Sequence, residues 1–192
     1  MKNDIIIAGV GGQGIISIAA AIGKASLKEG YTMKQSEVHG MSQRGGAVQS
    51  HLRISSSTIA SDLISIGKAD MIISMEPMEA LRYLPYLSES GWLISSNKPF
   101  INITNYPDLG ELINEIKRVK LHVILDSESI ALEAGALRSS NMVMLGAASV
   151  HLPLKQSSLE WAITEMFSRK GASLVSLNLN AFKLGRAQCI TI

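Results

Sequence analysis

Four glycines, Gly9, Gly11, Gly12 and Gly14, stand with Gln13 directly behind the apolar run Ile5, Ile6 and Ile7 in the stretch "IIIAGVGGQGI". Gly9, Gly11 and Gly14 match the G-x-G-x-x-G pattern in its working context, after a strand and at the opening of a helix. Residues without side chains permit a tight turn there and leave amide hydrogens at a helix N-terminus facing an anion. Three readings of the loop stay open: a dinucleotide site, a simpler phosphate-bearing ligand, and a turn that is purely structural. A dinucleotide site also wants a carboxylate roughly 20 residues on, at the end of the second strand, to take the ribose hydroxyls. That strand ends in Met33, Lys34 and Gln35, while Glu29 falls at the helix end and Glu37 beyond the strand.

The second stretch that could do chemistry is "SEVHGMSQRGG", residues 36–46. It follows the second strand, at the edge of the sheet where open α/β folds bind ligands. Lys34, Arg44 and Arg53, with His39 and His51, are opposed only by Glu37, so the region is locally basic and suits an anionic ligand or a carboxylate partner. Glu37, His39, Arg44, Gly45 and Gly46 are therefore the candidate residues. The planar guanidinium of Arg44 can grip a carboxylate or phosphate at two points, and the adjacent glycines let a ligand approach the backbone. The alternative is a solvated glycine-rich loop. Glu37, His39 and His51 have ligating chemistry, but their spacing matches no known metal site, and no metal is expected. His122, inside a strand, and His151, inside an apolar helix, read as core histidines. No G-x-S-x-G elbow presents a serine nucleophile.

These residues need a scaffold, and the pattern supplies one. Ile5 to Ala8 reads as a strand buried on both faces, followed by a helix over 14–28 with Ile15, Ile18, Ala19 and Ile22 on one face, closed by Gly30 in a left-handed cap. A strand over 31–35 completes a βαβ unit. In "AVQSHLRI" Val48, Ser50, Leu52 and Ile54 alternate with Gln49, His51 and Arg53, giving one polar face. Further strands are expected at 70–75, 91–95, 101–104 and 121–125, and helices at 78–87, disturbed at Pro85, and 108–119. The last third reads as helices, with Ser157 capping one of them through Glu160. The apolar run 141–152 must be buried by the sheet or by another chain. The expected architecture is a three-layer, Rossmann-like α/β fold with a doubly wound, mostly parallel sheet and a helical C-terminal third, forming one domain over 1–192.

The 192 residues suffice for one core, and 46% hydrophobic residues leave room for a buried partner surface. A net charge of +2 gives no field that would recruit nucleic acid. Cys189 is the sole cysteine, so the chain can build neither an internal disulfide nor a thiolate-held iron–sulfur cluster. No secretory signal pattern or membrane-length apolar run is present, and a cytoplasmic location is expected.

Together and in order, "GVGGQGI", "SEVHGMSQRGG", "SHLRIS", "NMVMLGA" and "LNLNAFKLG" resemble the gamma-type subunit of the 2-oxoacid:ferredoxin oxidoreductases along nearly the whole chain. The form "HGMSQRGG" is most similar to the small (beta) subunit of the indolepyruvate type. The resemblance implies a CoA-dependent oxidative decarboxylation of a 2-oxoacid to an acyl-CoA, with reduction of ferredoxin. It also implies a large partner subunit carrying thiamine diphosphate, magnesium and iron–sulfur clusters, since this chain lacks both a G-D-G motif and the thiolates. The chain alone would then be inactive and bind no cofactor, and a homodimer is possible when the partner is absent. Two other readings compete: a stand-alone NAD(P)-binding Rossmann oxidoreductase, and a non-enzymatic module that binds a phosphate ligand.

Overall fold

The computed structural model describes residues 1–40 and 45–190. A six-stranded sheet carries the chain: β1 (Lys2–Val10), β2 (Thr32–His39), β3 (Ala47–Ser55), β4 (Ala69–Ser74), β5 (Leu87–Ser96) and β6 (His122–Leu125). Their order across the sheet is β2-β3-β1-β4-β5-β6. β1, β4, β5 and β6 run parallel to one another, and β3 is antiparallel to both β1 and β2.

Helices cover both faces, as strands with side chains buried on each side require. Ile5 and Ile7 of β1 point into the larger core, with α1 (Ile15–Lys28), α5 (Ser140–Ala148), α6 (Gln156–Phe167) and α7 (Ala172–Ile190). Ile6 and Ala8 point the other way, toward α2 (Pro77–Arg82) and α3 (Leu109–Lys117). The three isoleucines are wholly buried, each worth about 1.5–3 kcal/mol against exposure. The short helix α4 (Ser127–Glu133) leads from β6 toward α5. After α1 the chain turns at Gly30, left-handed at φ +81°, where Tyr31 N–H donates to Ser26 C=O and Gly30 N–H to Leu27 C=O.

Several expectations are corrected. β2 does not lie beside β1, because β3 is inserted between them. The connection from β2 to β3 is too short for a parallel crossover, so β3 returns as a hairpin and takes the place next to β1. The polar face expected on β3 is present, and it is packed: His51 is 3% exposed, and Arg53 pairs with Asp4 at 2.8 Å. Residues 101–104 form no strand. α2 ends at Arg82, and a single 3-10 turn at Leu84–Tyr86 contains Pro85, which has no amide hydrogen to continue the helix. Lys155, not Ser157, is the N-cap of α6, and Ser157 sits within the first turn. His151 lies just beyond α5, with its ring stacked on Trp92 at 3.5 Å between centroids. The run over 141–152 is covered from within the chain, by the sheet and α7.

Candidate functional site

The glycine loop leaves the C-terminal end of β1 and opens α1. A side chain at Gly9 would stand 3.0 Å from the Met75 Cβ and 2.7 Å from the Gln13 Oε1, so close packing forbids one. Gln13 folds back onto the loop: its Oε1 accepts from Val10 N–H at 2.7 Å, and its own N–H donates to Val10 C=O at 3.1 Å. Its side chain is thus a stitch within the turn. Gly12 and Gly14 take positive φ, +105° and +80°. Gly14 is the N-cap of α1 and offers no side chain; Ser17 N–H turns back onto Gly14 C=O at 3.0 Å, which leaves the Ile15 and Ile16 amide hydrogens to whatever enters the site. A Cβ on Gly14 would also lie 2.4 Å from the Asn141 amide nitrogen, which donates to Gly14 C=O at 3.2 Å.

The two stretches singled out in the sequence meet. Gly11 N–H donates to Gly46 C=O at 2.9 Å, and Gly45 N–H to Gly11 C=O at 3.4 Å, which extends the β1–β3 ladder past the last paired strand residues. Gly40 N–H closes the base of the turn on Ala47 C=O at 3.1 Å. Arg44, with Met41, Ser42 and Gln43, lies outside the described residues. Glu37 and His39 share one face of β2 and are 3.2 Å apart, and Glu37 also accepts from the Gln35 side chain at 2.5 Å. A cleft of about 630 Å³ lies between His39 and Gly40 on one side and Gly11, Gly12, Gly14 and Ser17 on the other.

His51 does not join them. The two-residue period of β3 sends it to the opposite face, where Ile64 N–H donates to its Nδ1 at 3.0 Å and Tyr86 packs edge-on. Burial holds its pKa below the ordinary value of 6.5. Among the described residues no group of three ligating side chains could hold a metal ion. Glu29 caps the far end of α1 and accepts from Lys155 N–H at 2.8 Å, which removes it as a ribose partner. Because β3 separates β2 from β1, the carboxylate position that a dinucleotide needs beside the loop does not arise.

Three positioning residues carry little sequence signal. Glu76, fully buried at the end of β4, accepts from Glu79 N–H at 2.9 Å, from Phe100 N–H at 3.4 Å and from the Tyr106 hydroxyl. Burial and this carboxyl raise the Tyr106 pKa well above its usual value. The loop so pinned extends Asn102, whose amide donates to Gly45 C=O. Asn141 reaches Gly14 from the opposite side, across 127 positions of sequence. Only the Glu-Pro pair at the end of β4 hints at this in one dimension, as the cap of α2.

The pyruvate ferredoxin/flavodoxin oxidoreductase family model matches residues 4–188. Indolepyruvate oxidoreductase subunit IorB of Archaeoglobus fulgidus is 35% identical over 200 residues, covering 100% of this chain and 97% of that protein. The subunit of the same name from Methanothermobacter thermautotrophicus is 38% identical over 194 residues, covering 96% of each. Among solved structures, the 2-oxoglutarate:ferredoxin oxidoreductase of Magnetococcus marinus, with 2-oxoglutarate, coenzyme A and succinyl-CoA bound, superposes with a TM-score of 0.81 at 23% identity. All of this chain is matched there, over 31% of the longer one.

Proposed function

The chain belongs to the pyruvate ferredoxin/flavodoxin oxidoreductase family, and on that premise we propose that it is the small subunit of an indolepyruvate-type 2-oxoacid:ferredoxin oxidoreductase. In that reaction an aryl pyruvate loses carbon dioxide, its acyl group passes to the coenzyme A thiol, and the electrons released reduce ferredoxin. The names of the relatives support the indolepyruvate assignment. The observation that carries the reading is the joining of the Gly45 and Gly46 segment to the Gly11 backbone at the uncapped start of α1. It makes one surface of the two candidate stretches.

On this reading Gly12 and Gly14 present backbone amides to an anionic group, while the Gly11 amide holds the Gly46 segment in place. Arg44, the residue before Gly45 in the sequence, holds a carboxylate or phosphate of coenzyme A or of the partner. Glu37 and His39 line the approach as a coupled pair. Gly9 and Gln13 keep the loop closed.

The donor set does not fit an iron–sulfur cluster: the chain has one thiol, and burial raises the pKa of Cys189 above its ordinary value. It also has no G-D-G motif for thiamine diphosphate and magnesium. On this reading decarboxylation and electron transfer belong to a large partner subunit.

Co-expression with the large subunit, size-exclusion chromatography and ferredoxin reduction test the assignment. The chains should co-elute, turnover should require coenzyme A, and indolepyruvate or phenylpyruvate should be used faster than pyruvate. Equal or better turnover with pyruvate would remove the indolepyruvate assignment, and failure to co-elute would remove the partner.

A further inference from the structure

Far from the glycine loop, a cavity of about 330 Å³ opens where the chain enters β6. The loop follows the end of β1, whereas this cavity flanks the start of β6, and the two strands run parallel. They therefore lie at opposite edges of the sheet, and the cavity shares no lining residue with the His39 cleft. Trp92, Leu121 and Val123 make its apolar wall, and Cys189 of α7 closes one side. Burial raises the pKa of that thiol against the opposing charge of Arg186, so at neutral pH it is one more apolar surface.

The polar groups of the cavity are Lys120, His122 and His151, with no aspartate or glutamate among them. His122 Nδ1 stands 2.7 Å from Val119 C=O. A carbonyl only accepts, so Nδ1 carries the proton and Nε2 of the neutral ring is left as an acceptor. His151 stacks on Trp92 with 15° between the rings, and its ring nitrogens bond to no protein group among the described residues. Lys120 is exposed and has no carboxylate partner among the described residues. Arg186, whose charge reaches Cys189, has its Nε buried and unbonded. An apolar wall with a ring stack, a spare acceptor and uncompensated positive charge suits a flat, apolar anion.

We propose that this cavity binds a small planar aromatic carboxylate, its ring packed against the Trp92 and His151 stack and its carboxylate facing Lys120, with a ring hydroxyl or N–H donating to His122 Nε2. The volume lies near the lower end for small-molecule sites, which suits one ring or two fused rings. The function proposed above is not needed for this assignment, and either can fail without the other.

Isothermal titration of the full chain with phenylacetate, 4-hydroxyphenylacetate, phenylacetamide and cyclohexylacetate tests each part. Phenylacetate should bind saturably, and the 4-hydroxy compound more tightly. Phenylacetamide, without the charge, and cyclohexylacetate, without a π face, should each bind weaker by about threefold or more. Lys120→Ser should weaken both aromatic acids by about threefold to tenfold. His122→Phe should erase the preference for the hydroxyl while still binding phenylacetate. Lys24→Ser, which removes the same charge from α1, should bind like the unaltered chain. Circular dichroism confirms that each variant is folded.

Two signals locate the ligand. In Trp161→Phe, where Trp92 is the sole tryptophan left, its emission should change saturably with phenylacetate, and alkylation of Cys189, the sole thiol, should slow. Binding that leaves both signals unchanged lies elsewhere and overturns the site. Absence of saturable binding at millimolar concentration overturns it as well. Equal affinity for phenylacetamide, or for the aromatic acids in Lys120→Ser, overturns the carboxylate assignment, and equal affinity for cyclohexylacetate overturns the stacking.

Discussion

Glu76 accepts from three donors in a setting that water does not reach. Glu76→Ala should therefore destabilise the chain by ~3 kcal/mol or more, since each donor left unpaired costs ~1–3 kcal/mol; urea unfolding measures it. His51 makes stability depend on pH. Its Nδ1 accepts from Ile64 N–H, and burial lowers its pKa, so the unfolded chain takes up the proton more readily than the native one. Stability present above pH 6.5 is then lost as the pH falls through the depressed native value. The half-buried ring of His151, shifted in the same direction by desolvation, steepens the slope. Melting temperatures followed through this window should fall less steeply for His51→Gln. At Arg44 the expected loss is functional: Arg44→Ala in the assembled enzyme should cost ~1.5–3 kcal/mol of binding or transition-state stabilisation. Arg44→Lys should recover only part of it, because a point charge does not replace the planar fork. Steady-state constants for coenzyme A and the oxoacid, varied separately, check this.

Between elements, α5 and α7 cross with their backbones in close contact at two glycines. A Cβ on Gly146 would lie 2.0 Å from Phe182 C=O, and one on Gly185 would lie 2.1 Å from Val143 C=O. Backbone cannot yield as a flexible side chain can. Gly146→Ala or Gly185→Ala should therefore destabilise by ~1–3 kcal/mol or more through overpacking, read as a lowered melting temperature. Both glycines lie in stretches that carry the family resemblance, but the contact they permit is not legible there, since nothing local distinguishes a helical glycine that touches a neighbour from one that does not. What was legible was local: the Ile5 to Ala8 strand, the apolar face of α1, the left-handed close at Gly30, and the start of α3 at Asp108, whose side chain accepts from Glu111 N–H at 3.0 Å. The two candidate stretches were also legible as a pair, because both follow strands that end at the same edge. The insertion of β3 between β1 and β2 was not legible, because strand order is decided by pairing across long separations. For the same reason Asn141, Glu76 and Asn102 went unseen: their roles exist only once distant segments meet.

At the scale of the molecule, α5 is buried from Asn141 to Ala148 by its own chain, so this apolar run supplies no partner surface. Ile16, 53% exposed, lines the cleft itself, and Val38, Ile101 and Ile103 are further exposed apolar side chains, at 50%, 72% and 41%. Ile101→Asp should leave the melting of the isolated chain unchanged and weaken co-elution with the large subunit, as analytical chromatography would show. α7, which is synthesised after every other described element, delivers Phe182, the largest side chain that is wholly buried. α6, nearly as late, packs on α1, which is among the first elements made. The helical layer over one face of the sheet therefore cannot close while the chain is still being translated through α5. The glycine loop emerges early, yet Asn141, which fixes Gly14, arrives late, so the N-terminal half must wait on the ribosome with its apolar strands uncovered. Ribosome-bound chains arrested before α7 should be cut rapidly by protease, and release of the full chain should bring protection in a single late step.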